Sequence, residues 1–300
     1  MSSFKCSFSL AILPVLLVLL LNPHVGLCSC YKRIFSFGDS IIDTGNFVHL
    51  AGKTASKYKE PPYGMMFFKN ATGRICDGRV IIDFYAQALQ LPLIPPIIPK
   101  KDSGEFQYGA NFAVLVAKRQ FLGESLVVMG QIGVNDYSYW FKTGGPNKEI
   151  EDIIPQVITY ISHFIEELIL DYGAKAFVVP NIFPIGCWAS YLSRFHSNNP
   201  KDYDKHGCLK WLNEFSQKHN EALHWEVKRL RTFHPGVKLI YADYYGAAME
   251  FVENPARFGI GDPLLACCGG DGPYHTGMEC NRTAKIWGDP SSFTNWDGRG

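Results

Sequence analysis

The sequence lacks the charge imbalance that is typical of proteins that bind nucleic acid. Its 29 basic residues are balanced by 28 acidic ones, which leaves a formal net charge of +1, and no run of Lys and Arg occurs. Because a nucleic-acid-binding surface normally needs a basic stripe, this balance argues against a nucleic-acid partner. With 47% hydrophobic and 19% charged residues, the 300-residue chain is typical of a folded globular protein.

A membrane-spanning run is absent from the first thirty residues, which nevertheless differ from the rest of the chain. Lys5 precedes the apolar stretch Leu10–Leu21, which has about the length of a signal-peptide core. This stretch is shorter than the roughly 20 residues that span a bilayer, and Pro14 interrupts it. The pattern predicts a signal peptide over residues 1–28, cleavage near Ser29–Tyr31, a secreted protein and no stable membrane span afterwards. The alternative is an uncleaved membrane anchor.

The paired C-x-x-C spacing of a zinc site is also missing, although the chain contains nine cysteines. Disulfide bonds formed in an oxidising compartment are therefore the better interpretation. Loss of Cys6 and Cys28 with the signal peptide leaves seven cysteines, so at least one thiol has no partner within the chain. Sequons for N-glycosylation at Asn70 and Asn281 agree with secretion.

Strand-like and helix-like stretches alternate along the remaining chain. Apolar runs predict strands within "RIFSFGDS", "SLVVMGQIG", "AKAFVVPNIFPIG" and "GVKLIYADYY", and the predicted helices cover Val80–Leu91, 153–170, Leu209–Phe233 and Gly246–Glu253. Such alternation predicts βαβ crossovers, and therefore a parallel sheet covered on both faces, within one domain over residues 31–300. In these folds, sites form beyond the carboxyl ends of the strands.

Three polar residues stand out, two at predicted strand ends and one near the end of the chain. Ser40 could present a nucleophilic hydroxyl and an N–H for an oxyanion, or it could cap the next helix together with Asp39. Asn135 could donate its amide to the oxyanion, or it could hold a turn. Asp297 could orient a histidine, or it could be a turn residue before glycine.

Eight sequence blocks occur in the order found in plant GDSL esterases/lipases. They are "FSFGDSIIDTGN", "GRICDGRVIIDFYAQAL", "QYGANFAV", "MGQIGVNDYSYW", "VVPNIFPIGC", "IYADYYGA", "CCGGDGPY" and "NWDG". On these blocks the chain resembles this family of the SGNH hydrolase superfamily, and within it the group that contains acetylajmalan esterase. The resemblance covers essentially everything after the signal peptide. It implies a flavodoxin-like, three-layer α/β/α sandwich with a central parallel sheet.

The resemblance also implies a chemistry and a role for each candidate residue. Ser40 resembles the nucleophile of a Ser-His-Asp triad, and its N–H and the Asn135 side chain resemble oxyanion donors. Asp297 matches the triad aspartate, and Asp43 resembles a residue that holds the nucleophile loop. The reaction implied is cleavage of a small-molecule or lipid ester through an acyl-enzyme, without metal or organic cofactor. Lipids, acetylated alkaloids, phenolic choline esters and acetylated polysaccharides all remain open as substrates.

The chain departs from the family pattern at three places. Gly300 stands where the family has the triad histidine, and among the other histidines His219 is expected in the core and His275 in a disulfide loop. Val116 replaces a glycine that supplies a third oxyanion donor, and an internal segment is missing after about residue 115. A cysteine expected after Cys280 is absent, whereas Cys187–Cys208, and also Cys30–Cys76, look like natural pairs.

These departures predict a truncated or mis-spliced esterase that is inactive or nearly so. The alternative is a non-catalytic pseudoenzyme that binds an ester or a glycan.

Overall fold

The computed structural model describes residues 31–98, 106–112, 122–143 and 149–297. The predicted signal peptide, Cys30, Val116 with the predicted gap around it, and Gly300 lie outside the described residues.

Five parallel strands form the main sheet. They are β1 (Arg33–Phe37), β2 (Gly109–Asn111), β3 (Ser125–Met129), β4 (Ala176–Pro180) and β5 (Lys238–Ala242). They lie in the order β2-β1-β3-β4-β5, and every neighbouring pair is parallel. This is the strand order of flavodoxin-like folds, so the predicted fold class is confirmed.

Helices cover both faces of this sheet. The helices are α1 (Asn46–Leu50), α2 (Ile81–Ala88), α3 (Val134–Thr143), α4 (Ile154–Leu170), α5 (Ala189–Arg194), α6 (Lys210–Phe233) and α7 (Tyr244–Glu253). Because side chains alternate along a strand, Phe35 and Phe37 pack with α3, α4 and α6 in one cluster. Ile34 packs with α2 in a second cluster. The result is the three-layer α/β/α arrangement.

The predicted helix boundaries differ from the observed ones by a few residues, for local reasons. The helix predicted over Val80–Leu91 ends at Ala88, because Gln90 has a left-handed backbone with φ 57°. The last helix begins two residues earlier than predicted, because the Asp243 side chain accepts a hydrogen bond from the Gly246 N–H and so caps it.

Helix α4 combines with the turn before it into the helical stretch Ile150–Leu170. Among the described residues, this is the one helix whose length and mean hydropathy of 1.3 would suit a membrane span. Its apolar positions, which include Ile154, Ile158, Ile161 and Ile165, pack against the main sheet. The stretch therefore serves as a core helix in this fold.

A second, small sheet was not predicted from the sequence. It contains β6 (Ala266–Gly269), β7 (Lys285–Ile286) and β8 (Asn295–Asp297) in the order β7-β6-β8, with β8 parallel to β6. These strands are only two to four residues long. The Cys268–Cys280 disulfide links β6 to the loop that leads to β7.

Cys187–Cys208 forms the disulfide that was predicted. Within the described residues, Cys76 and Cys267 are free thiols. The Cys30–Cys76 pair stays a prediction, because Cys30 lies outside those residues.

Candidate active site

Ser40 lies in the turn that follows β1, at the carboxyl end of the main sheet, and its side chain is exposed. The neighbouring strands approach closely at this point, since a Cβ on Gly38 would lie 2.4 Å from the Gly130 Cα. Glycine at these two positions allows β1 and β3 to end side by side. The strand order reverses between β1 and β3, which is where open α/β sheets place their ligand sites.

The segment after Ser40 is held by Asp43, which is buried. Its carboxylate accepts hydrogen bonds from the N–H groups of Gly45, Asn46 and Phe47 at 3.0, 2.8 and 2.8 Å. Asp43 therefore supplies the cap at the start of α1. The alternative that Ser40 caps this helix is wrong, because α1 begins six residues later at Asn46.

Asp39, next to Ser40, has an altered acidity. Burial raises the pKa of its carboxyl from 3.8 to about 6, although its Oδ1 accepts a hydrogen bond from the Ile41 N–H at 3.2 Å, which acts in the opposite direction. This hydrogen bond shapes the turn that presents Ser40.

Asn135 lies in the first turn of α3, just beyond the end of β3, and its side chain is exposed. Its neighbours Val134 and Tyr137 are buried and fix the start of the helix. The residue therefore belongs to a helix and not to the isolated turn of the alternative interpretation. Because β1 and β3 are neighbours, Ser40 and Asn135 lie at the same edge of the sheet.

Asp297, at the end of β8, is 5% exposed. The Tyr63 hydroxyl donates a hydrogen bond to its Oδ2 at 3.1 Å, and Tyr63 itself is 1% exposed. Tyr63 packs edge to face with Tyr58 and Trp296, with ring centroids 5.1 and 6.3 Å away. Aromatic packing and a hydroxyl donor therefore hold this carboxylate from one side.

Residues 60–78, called here the bridging segment, connect this carboxylate with the start of α1, the helix that follows the Ser40 turn. Tyr63 lies near one end of the segment, and Gly73 contacts Gly45, since a Cβ on Gly73 would lie 2.9 Å from the Gly45 Cα. The apolar cluster around Tyr63 also includes Val48 of α1 and Cys268 of β6. The small sheet is thus packed against the helix that follows Ser40.

His275 and His219 are both held by contacts with other side chains. His275 lies in the loop closed by Cys268–Cys280, as expected, where its ring stacks on Trp287 at 3.8 Å. His219 is 0% exposed and its Nδ1 lies 2.8 Å from the Tyr137 hydroxyl, which confirms the predicted core position. Burial lowers the pKa of His219 to about 4.

Tyr63 is the residue that sequence reasoning missed. It is separated from Asp297 by 234 positions, and a tyrosine after two prolines is no signal for a carboxylate partner. The buried Arg74–Asp83 ion pair, with two contacts of 2.7 Å, anchors the same segment to α2 and was also missed, although its members are only nine residues apart.

Comparison with known proteins places the chain among plant ester hydrolases. The family model for GDSL-like lipase/acylhydrolase matches residues 34–299. A GDSL esterase/lipase of Arabidopsis thaliana is 40% identical over 318 positions, which cover 90% of this chain and 80% of the relative. The sinapine esterase of Brassica napus is 39% identical and matches 90% of this chain and 82% of its own length.

The Arabidopsis match has more aligned positions than the chain has residues, 318 against 300, although only 90% of the chain takes part. The relative therefore has residues opposite gaps in this chain.

The family match spans the Ser40 turn, Asn135 and Asp297. The chain belongs to the GDSL-like lipase/acylhydrolase family and is, by family, a carboxylic ester hydrolase.

Proposed function

We propose that residues 31–300 form one secreted GDSL hydrolase domain in which Ser40 is the nucleophile for carboxylic ester cleavage. The observation that carries this proposal is the exposed Ser40 hydroxyl at the carboxyl end of β1, inside the segment that matches the family. Ser40 Oγ would attack the ester carbonyl, the alcohol would leave, and water would then release the acyl group from the serine.

The charge that develops in this reaction needs donors at the same edge of the sheet. The Ser40 N–H and the Asn135 side chain are the proposed oxyanion donors, and their neighbouring strand ends support this pairing. Preorganised donors of this kind contribute several kcal/mol to the transition state. No step of this reaction requires a metal or an organic cofactor.

The 300-residue chain itself is proposed to be inactive or nearly so. Attack by Ser40 releases a proton, which in the triad goes to an imidazole that an aspartate orients. Asp297 is the proposed orienting aspartate, whereas Gly300 stands where the family resemblance places the histidine. His219 contacts the Tyr137 hydroxyl and His275 stacks on Trp287, which supports the proposal that neither acts as the base. Catalysis without the base is slower by orders of magnitude than catalysis by the intact triad.

A restored histidine tests the assignment. We expect the 300-residue chain to hydrolyse p-nitrophenyl acetate at the rate of its Ser40→Ala variant, and we expect Gly300→His to raise the rate in a manner that Ser40→Ala abolishes. Strong serine-dependent hydrolysis by the unchanged chain would refute the inactivity. If Gly300→His gives no gain in hydrolysis, the triad assignment fails.

Sequencing of the transcript across residues 113–125 and past Gly300 tests whether the departures are present in the message.

The substrate is proposed only as a class, a small-molecule or lipid carboxylic ester. The name of the Brassica relative makes sinapine one ester to include in a substrate panel.

The second candidate function is a pseudoenzyme that binds an ester or a glycan without turnover, and the departure at Gly300 is what favours it. Saturable binding of an intact ester, unchanged by Ser40→Ala and recovered uncleaved, would support this alternative.

A further inference from the structure

The surface turn that carries Asn70 also carries two adjacent phenylalanines. Phe67 is 53% exposed, and Phe68 is partly exposed. The two rings meet edge to face with 4.9 Å between their centroids, and the Arg74 guanidinium lies over the Phe68 ring, 4.9 Å from its centroid. The turn therefore presents aromatic surface to solvent within three residues of a sequon.

The backbone of the turn holds Phe68 and Asn70 in a defined relation. Lys69 between them has a left-handed backbone with φ 60°, which brings its two neighbours closer together than an extended chain would. Gly64 approaches the Asn70 carbonyl so closely that a Cβ on Gly64 would lie 2.0 Å from that oxygen. The Gly64 N–H in turn donates to the Cys76 carbonyl at 2.9 Å. These contacts hold the backbone of the turn that carries the sequon.

The two sequons of the chain differ in their surroundings. The Asn70 side chain is exposed, and the contact of its Nδ2 with the Ala71 carbonyl is long, at 3.4 Å. The Asn281 Oδ1 accepts hydrogen bonds from both the N–H and the hydroxyl of Thr283 at 2.8 Å. Neither of the two residues before Asn281 is aromatic. Asn281 is therefore a matched control for Asn70.

We propose that Asn70 carries an N-linked glycan whose first N-acetylglucosamine packs against Phe68. Attachment joins Asn70 Nδ2 to the anomeric carbon of the sugar, breaks the bond of that carbon to its lipid diphosphate donor, and releases an amide proton. The C–H face of the sugar is apolar and matches the part of the Phe68 ring that Arg74 and Phe67 leave exposed to solvent. Because the sugar is tethered two residues away, the contact forms at a high effective concentration.

The glycan would stabilise the bridging segment. The turn with Phe68 and Asn70 lies within that segment, whose Tyr63 donates to Asp297 and neighbours Gly64. A sugar that rests on Phe68 orders the turn and, through Gly64, the backbone beside Tyr63. This inference rests on the predicted secretion and not on the catalytic assignment.

The first measurement is glycopeptide mass spectrometry on the full chain secreted from a eukaryotic host. Thermal unfolding then compares wild type, Asn70→Gln, Phe68→Leu and the double variant. We expect an occupied Asn70, and a Tm that Asn70→Gln lowers by about 2 °C in the wild-type background. In the Phe68→Leu background the same change should have almost no effect, because the sugar has lost its aromatic partner.

Controls separate the sugar contact from general effects of glycosylation. Asn281→Gln should shift the Tm equally in both backgrounds, and Phe68→Tyr should retain the effect of the Asn70 sugar. After trimming to single sugars, the N-acetyl protons on Asn70 should resonate upfield of those on Asn281 because of the Phe68 ring current. This measurement needs no Phe68 variant.

An unoccupied Asn70, or equal Tm losses on Asn70→Gln in both backgrounds, overturns the proposal. Neither result bears on ester hydrolysis.

Discussion

The buried His219 should make the protein lose stability on mild acidification. Its imidazole is fully buried on α6, and burial lowers its pKa from 6.5 to about 4. Between these two pH values the unfolded chain binds a proton that the folded protein does not. The stability that the neutral imidazole contributes is therefore complete above pH 6.5 and is lost as the pH falls towards 4.

The size of the effect follows from the two pKa values. A pKa difference of about 2.5 corresponds to about 3 kcal/mol in full, and most of this is lost between pH 7.5 and pH 4.5. Asp39 acts in the opposite direction, because its pKa is raised to about 6 and the folded state gains stability as this carboxyl is protonated. The pH profile of the wild type alone would conceal both contributions.

Comparison with His219→Gln isolates the histidine. Urea unfolding, followed by the fluorescence of the six tryptophans with disulfides intact, gives the free energy of unfolding at each pH. The wild type should lose about 2–3 kcal/mol more than His219→Gln between pH 7.5 and 4.5. The exposed His163 provides the control, and His163→Gln should behave as the wild type. If wild type and His219→Gln lose equal stability, His219 is not held neutral by burial and the reasoning is refuted.

Three further substitutions test the packing around the candidate site. Arg74→Ala should cost about 3–5 kcal/mol in urea unfolding because it leaves the Asp83 carboxylate buried without its cation, and a loss below 1 kcal/mol would contradict this. Gly38→Ala should prevent folding to the native far-UV spectrum, whereas Gly236→Ala, where a Cβ meets nothing within 4 Å, should fold normally. Tyr63→Phe should cost about 1–3 kcal/mol because it removes a donor from a buried carboxylate, and an unchanged urea midpoint would show that the hydroxyl contributes nothing.

Much of the main sheet could be predicted, because parallel strands that are buried on both faces appear in the sequence as continuous runs of apolar residues. β1, β3 and β4 are of this kind, and their ends place Ser40 correctly after a buried strand. The amphipathic spacing of α4 and α6 gave their boundaries to within one residue. Patterns that are local in the chain were therefore sufficient for the three layers.

Features that depend on contacts between distant residues could not be predicted. β2 and the strands of the small sheet are too short to show a period, and a disulfide supports the latter. Helix α3 begins in the polar run "VNDYSYW", whose buried members Val134 and Tyr137 become visible only in the fold. The hydrogen bond from Tyr63 to Asp297 joins opposite parts of the sequence and has no local signature.

The division of the candidate site between two sheets has a consequence for local opening. No strand pairing joins the small sheet to the main sheet in the described part of the chain. Ser40 follows a strand with partners on both sides, whereas Asp297 ends a three-residue strand that pairs with β6. The small sheet can therefore open as a unit of its own while the five-stranded sheet stays folded. Amide hydrogens of β8 should exchange faster than those of β1, and the carboxylate should leave the site before the nucleophile does.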